Sequence, residues 1–185
     1  IRVHPIITKG GASVSSVPAD VRMETFVRGS SVEAFMSASH KVDRSLRAGA
    51  MAVGGSVRIT TLPGYMPIRS EPVMLDLHKA NAARLVGNGN IEPLGHRTGS
   101  TDMGDVSQIM PVIHPYVVAA SGKSHGDDYV IEYYDTAVLT AGKAMAMTVI
   151  DLLADGASKA LEVRDSYQYP MSKSEYLSTL RSITK

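Results

Sequence analysis

The chain has no cysteine among its 185 residues. That removes disulfides, thiolate nucleophiles and cysteine-type zinc sites together, so any metal would have to be held by histidine and carboxylate side chains. It is compatible with the cytoplasm, the expected location. No sign of charge prevails: 19 Lys and Arg stand against 18 Asp and Glu, a formal net charge of +1. Without a clustered basic excess, neither nucleic acid nor an anionic membrane is an expected partner. The longest apolar stretch, around Ala137 to Leu153, is broken by Lys143 and Asp151 and is not expected to span a bilayer. Familiar motifs are missing too. Gly87-Asn88-Gly89 lacks the third glycine and preceding strand of a dinucleotide loop, Gly142-Lys143 lacks the upstream glycine of a phosphate loop, and there is no GxSxG elbow. The six histidines form no HExxH or HxH pair. The chain opens at Ile1 on strand-like sequence with no signal-peptide pattern, which reads as a cut product or a piece of a longer protein.

What is present is an ordinary globular balance, 44% hydrophobic and 20% charged, in a length that suits one domain or two small lobes. Ile1–Thr8 is β-branched and ends at Gly10-Gly11, a strand that Pro5 places at an edge or bulge. Asp20–Arg28 alternates, a second strand with one covered face. Ser30 and Glu33 have capping-box spacing ahead of a helix with a 3.6-residue apolar stripe from Val32 to Val53, closed by Gly54-Gly55. Ser56–Leu62 reads as a third strand. The expected β-β-α-β lobe, with antiparallel pairing, is roughly 60 residues, near the lower limit for an independent core. Pro63, Gly64 and Pro67 mark a linker. Ser70 then caps a helix with Pro72 in its first turn, running to Val86. A further helix from Asp135 to Ala154 is apolar nearly all round, as for burial against a sheet, and Gly156 breaks it. Two short polar helices, Ser158–Asp165 and Ser172–Ser182, close the chain.

The stretch Gly99–Pro115, GSTDMGDVSQIMPVIHP, has the form of one wall of an active site: a polar, acid-bearing loop, a short amphipathic turn and an apolar run. Ser100, Thr101 and Asp102 precede the turn. Thr101 or Asp102 is either a plain N-cap or part of a helix start that binds an anionic or carbonyl group. Arg28 ends its strand as either a solvated charge or a planar fork for a carboxylate. His125 sits in a loop with Gly122, Gly126, Asp127 and Asp128, where neutral imidazole could ligate a metal and glycine lets the loop come close. His40, His78 and His4 read as surface or interface residues. His114 is a core histidine or a site residue, and His96 is undecided.

These strings together have a likeness. GSTDMGDVS, PVIHPY, the Ser124-His125-Gly126 loop and TAGKAMAMTVIDLL resemble the C-terminal part of the dinuclear-metal amidohydrolase/peptidase family, which includes aminobenzoyl-glutamate hydrolase, aminoacylase and carboxypeptidase G. RVHPIITKGG, the Val17-Pro18 turn and VRMETFVRG resemble the second part of that family's inserted lid domain. The resemblance implies an α/β chain: a partial ferredoxin-like α+β lid (dimerisation) lobe over residues 1–62, lacking its first strand and helix, then the C-terminal part of a metallopeptidase-like catalytic domain over 63–185. It implies hydrolysis of the amide bond of an N-acyl amino acid or dipeptide with a free carboxylate, two divalent ions (zinc or manganese) in the intact enzyme, and a homodimer formed through the lid. By resemblance His125 ligates one metal and Arg28 grips the substrate carboxylate. Ser100, Thr101 and Asp102 line the pocket, and Gly122 leads to the metal histidine. Ser15-Ser16 stand where the family often has the asparagine that helps hold the carboxylate. The remaining ligands and the catalytic glutamate belong to the family's N-terminal half, so the chain alone is expected to be inactive. The alternatives are a dimerisation or interaction module and a carboxylate-binding fragment without catalysis.

Overall fold

The β-branched start of the chain forms strand β1 (Arg2–Lys9), which pairs antiparallel with β2 (Arg22–Arg28). These elements come from a computed structural model, which describes residues 1–95 and 99–184. At the turn end of the pair, Asp20 takes ion pairs from Lys9 and Arg22, each at 2.9 Å, and the two cations hold its carboxyl down to about 2. Val3, Pro5, Met23 and Thr25 face helix α1 (Val32–Ala52) across a hollow of about 350 Å³. Gly29 joins strand to helix where nothing larger fits: a Cβ there would stand 2.7 Å from the Phe35 amide nitrogen.

Helix α1 starts one residue later than its capping-box spacing predicts. Ser31, not Ser30, adopts the extended backbone of a cap and accepts from the Ala34 amide at 3.1 Å. Its end is a Schellman closure: the Gly55 amide donates to Ala50 O at 2.9 Å, the Gly54 amide to Met51 O at 3.1 Å, and Gly54 is left-handed at φ 72°. The third strand expected at Ser56–Leu62 does not form. Its composition favours extended backbone, but a strand exists only through its ladder, and no described residue pairs with it.

The chain divides into two compact units. The first holds Ile1–Pro67, the stretch that ends at Asp102 and the chain from Leu177 onward; the second holds Ile68–Gly95 and Met103–Tyr176. The second unit starts with α2 (Pro72–Val86), capped by Glu71 rather than Ser70: the Glu71 carboxylate accepts from the Met74 amide at 2.6 Å. Ser70 instead bridges to Val112.

At the centre of this unit lies α3 (Met103–Ile109), with Gly104, Ser107 and Gln108 buried. Every bond of the Ser107 hydroxyl is filled. It donates to Gly104 O at 2.6 Å and accepts from the Arg69 amide at 3.1 Å and Gln108 Nε2 at 3.2 Å. The last carbonyls of so short a helix have no partner within it. Tyr167 Oη donates to Ser107 O at 2.8 Å, and the Met171 amide to Gln108 O at 3.1 Å.

Strands β3 (Ala120–Ser121) and β4 (Val130–Ile131) make a short hairpin. A π-helical stretch, Asp135–Thr140, then leads into α4 (Ala141–Ser166). At Ala154–Ala157 the backbone leaves the helix, with Asp155, Gly156 and Ala157 left-handed, so Gly156 does break it. The first run of α4 lies on α2, not on a sheet. Asn81, almost wholly buried, donates to Asp151 Oδ2 at 2.6 Å, and His78 Nδ1 meets Thr148 Oγ1 at 3.3 Å. Thr148 spends its proton on Ala144 O, so His78 is the donor in that contact. Helix α5 (Lys173–Ile183) opens with a capping box: the Ser172 amide donates to Glu175, and the Glu175 amide to Ser172 Oγ.

By length and composition alone, Asp135–Ser166 could cross a membrane, with a mean hydropathy of 1.5 in its most apolar stretch. Only 11% of that stretch is buried. Val138, Leu139, Met145, Val149, Ile150 and Leu153 are all more than half exposed.

Two expectations follow. Tyr167→Phe strands a buried carbonyl and should cost about 1–2 kcal/mol in urea unfolding, whereas Tyr169→Phe, at a half-exposed ring, should change little. Burial holds the His78 imidazole below its ordinary 6.5, so the folded state takes up that proton less readily than the unfolded chain. The stability due to this group is complete above about pH 6.5 and declines as the pH falls below it; melting temperature against pH should show a shallower acid slope in His78→Gln.

Candidate functional site

The loop between β3 and β4 is the most constrained piece of backbone among the expected site residues. Gly122 takes φ 85° and has no room for a side chain, since a Cβ would collide with the Asp128 carbonyl oxygen. Gly126 is equally confined, by the Asp128 carboxylate and by Lys123 O at 2.8 Å. The Gly126 amide donates to Lys123 O at 2.6 Å, closing a tight turn, and the Lys123 amide donates to Asp128 Oδ1 at 3.1 Å. At the apex of that turn His125 sits at φ 65°, a left-handed conformation uncommon outside glycine and one that histidine takes more readily than most side chains. Strain of this kind persists only where the surrounding structure imposes it, and it concentrates at functional positions. The imidazole is exposed.

Arg28 is the last residue of β2. Its guanidinium carbon lies 5.3 Å from the centre of the Phe26 ring, which steadies the head group by a cation–π contact. Ser100 and Asp102 are exposed and Thr101 half-buried in the segment that runs into α3, and the Thr101 hydroxyl donates to Asp102 Oδ1 at 3.1 Å. The expected site residues therefore fall in three places. Gly122 and His125 share one loop in the second unit; Arg28 and the Ser100–Asp102 segment belong to the first.

The other histidines sort plainly. His4 and His40 are exposed, and His78 is an interface residue between α2 and α4. His114 is half-buried against Tyr116, ring centres 5.0 Å apart, and its buried Nδ1 makes no hydrogen bond among the described residues. His96 lies outside the described residues. Among the described residues no three His, Cys, Asp or Glu side chains gather closely enough to hold a metal ion. A catalytic ion normally takes about three protein ligands, so the described residues by themselves do not fit one.

Sequence reading did not find the role of the α3 residues. Ser107 and Gln108 lie in the stretch expected to wall an active site, yet both are buried in a hydrogen-bonded centre. Asp105 accepts from Tyr176 Oη at 3.1 Å, a link across 71 residues. The local signal was the buried spacing Gly104, Ser107, Gln108 on one helical face. The role of Asp128, which closes the His125 loop, was open to detection as an Asp in a Gly-rich turn.

No family model matches the chain, and no solved structure does. Among curated proteins it is similar to the Xaa-Arg dipeptidase of Mus musculus, 28% identical over 187 residues that cover 96% of this chain and 43% of that protein. It is also similar to the Xaa-Arg dipeptidase of Homo sapiens, 25% identical over 195 residues, covering 97% and 43%. The chain spans less than half the length of these relatives. The likeness is distant but extends over nearly all of this α/β chain, and it supports a hydrolase of the broad peptidase/amidohydrolase kind.

Proposed function

We propose that this chain is the C-terminal part of a metal-dependent amidohydrolase or peptidase acting on the amide bond of an N-acyl amino acid or dipeptide with a free carboxylate. The observation that carries the reading is His125, exposed and held left-handed at the apex of a loop whose two glycines admit no side chain. The likeness to two proteins named as dipeptidases points the same way. In this reading His125 ligates one of two divalent ions, zinc or manganese, and Gly122 gives the loop its close approach. Arg28 grips the substrate carboxylate, and Ser100, Thr101 and Asp102 line the pocket. Residues 1–62 serve as the lid lobe that pairs with a second subunit, and 63–185 as the end of the catalytic domain, in a cytoplasmic enzyme. In this reading the remaining metal ligands and the catalytic glutamate, and with them the bond-breaking chemistry, belong to a part of the enzyme outside this chain.

A second reading, an interaction module, is favoured by one observation: the exposed apolar residues from Val138 on the π-helical stretch to Leu153 on α4. Light scattering that finds a monomer at all concentrations would remove it.

The 185-residue chain, supplied with zinc or manganese, should hydrolyse no N-acyl amino acid or dipeptide; steady turnover would overturn the reading. In a chain of the relatives' full length, Arg28→Gln should raise KM by about 10-fold or more with a smaller change in kcat, as for a lost carboxylate contact worth about 1.4 kcal/mol. His125→Ala should lower bound metal, measured by elemental analysis.

A further inference from the structure

We propose that the hollow between the β1–β2 pair and α1 is a binding site for a medium-length straight-chain carboxylate, with the tail among the apolar side chains of the hollow and the head group on Lys41. A helix and the strands beneath it normally interdigitate and leave few voids larger than a water molecule. Here about 350 Å³ stays open, at the lower end of the roughly 300–1,000 Å³ usual for small-molecule sites. Its walls are Val3, Pro5, Met23, Val42 and Leu46. Val3 and Met23 are more than two-fifths exposed, so apolar surface is left in water that a hydrocarbon tail would cover. Met23 adds an unbranched side chain that adapts to what lies against it.

The polar groups decide the sign of the head group. No acidic side chain lines the hollow. Glu24 stands opposite Ile6, and strand alternation puts both on the far face of the pair. One residue turns a helix by about 100°, so Glu33 and Asp43 lie well away from the face that Lys41, Val42, Ser45 and Leu46 share. Lys41 is the one charged residue on that wall, and its ammonium makes no ion pair among the described residues. Ser45 spends its proton on Lys41 O at 2.9 Å. The donors left to the hollow are the Lys41 ammonium and the Thr25 hydroxyl. A lysine whose stem follows an apolar wall and whose head stays at the rim matches a molecule built the same way with the opposite charge.

The test is methyl NMR of the 185-residue chain labelled at methionine, titrated below micelle-forming concentrations with hexanoate, octanoate, decanoate and octylamine. The Met23 signal, identified by its loss in Met23→Leu, is expected to move with octanoate. Binding should tighten at least about 2-fold for each added methylene. Octanoate should bind at least about 5-fold more tightly than octylamine in low-salt buffer. Lys41→Gln should remove that preference for the acid while the dependence on chain length stays, and Lys41→Arg should keep both. Ser45→Leu, which sets a side chain into the hollow from an exposed helical position, should weaken octanoate by about 10-fold or more. A Met23 signal unmoved by octanoate, equal binding of octanoate and octylamine, or a preference that survives Lys41→Gln would each overturn the proposal. So would a dimer that shields Met23 before any acid is added, since a second copy would then fill the hollow. The site is independent of the roles given to His125 and Arg28, and its failure leaves them standing.

Discussion

A seven-residue helix cannot satisfy its own ends, and the second unit is arranged around that fact. Helix α3 brings Ser107 and Gln108 into the interior together with carbonyls that need donors from elsewhere. The donors come from the far end of the unit: the Tyr167 hydroxyl and the Met171 amide. Arg69, just before α2, adds its amide to the Ser107 hydroxyl and its guanidinium to Gln168 O, and lies 5.6 Å over the Tyr167 ring. Buried polar groups are costly when unpaired and stiffening when fully paired. Here they are fully paired at Ser107, so the segment before α2, α3 and the chain after α4 are held to one another by hydrogen bonds with definite directions.

The α2–α4 seam repeats the logic with side chains alone. His78 and Asn81, one turn apart on α2, meet Thr148 and Asp151, one turn apart on α4. These polar pairs choose which side of α4 turns inward, and the apolar residues Met145, Val149 and Ile150 are left outward as a result. The helix is thus oriented by its few polar contacts more than by its many apolar side chains, the reverse of the usual amphipathic arrangement.

What could be read from the sequence was what depends on neighbours in the chain. Gly54-Gly55, Gly87 and Gly156 end or break helices where they were expected to, because a left-handed backbone is a local requirement. The starts were misplaced by one residue, at Ser31 and Glu71, since adjacent candidates differ only in backbone geometry that composition does not reveal. Ser56–Leu62 has the residues of a strand without a partner. The apolar helix was expected on a sheet and lies on another helix, because hydrophobicity states that a surface is to be covered and not by what. In the candidate site, the need for Gly122 was legible and Asp128 stood out as an Asp in a Gly-rich turn, whereas the meeting of the Asp128 carbonyl with Gly122 depends on the folded loop. The polar residues of α3 resembled a pocket wall because their partners stand 38 and 60 residues away.

The break in α4 also fixes chain length. Between the left-handed Ala157 and the buried Tyr167 runs an uninterrupted stretch of helix, in which each residue added or removed turns whatever follows by about 100°. The phenol of Tyr167 finds Ser107 only in one rotational phase. This stretch is therefore a spacer of set count, intolerant of insertions and deletions, while the connection between β1 and β2, which ends no helix and bears on no buried carbonyl, is free to vary in length.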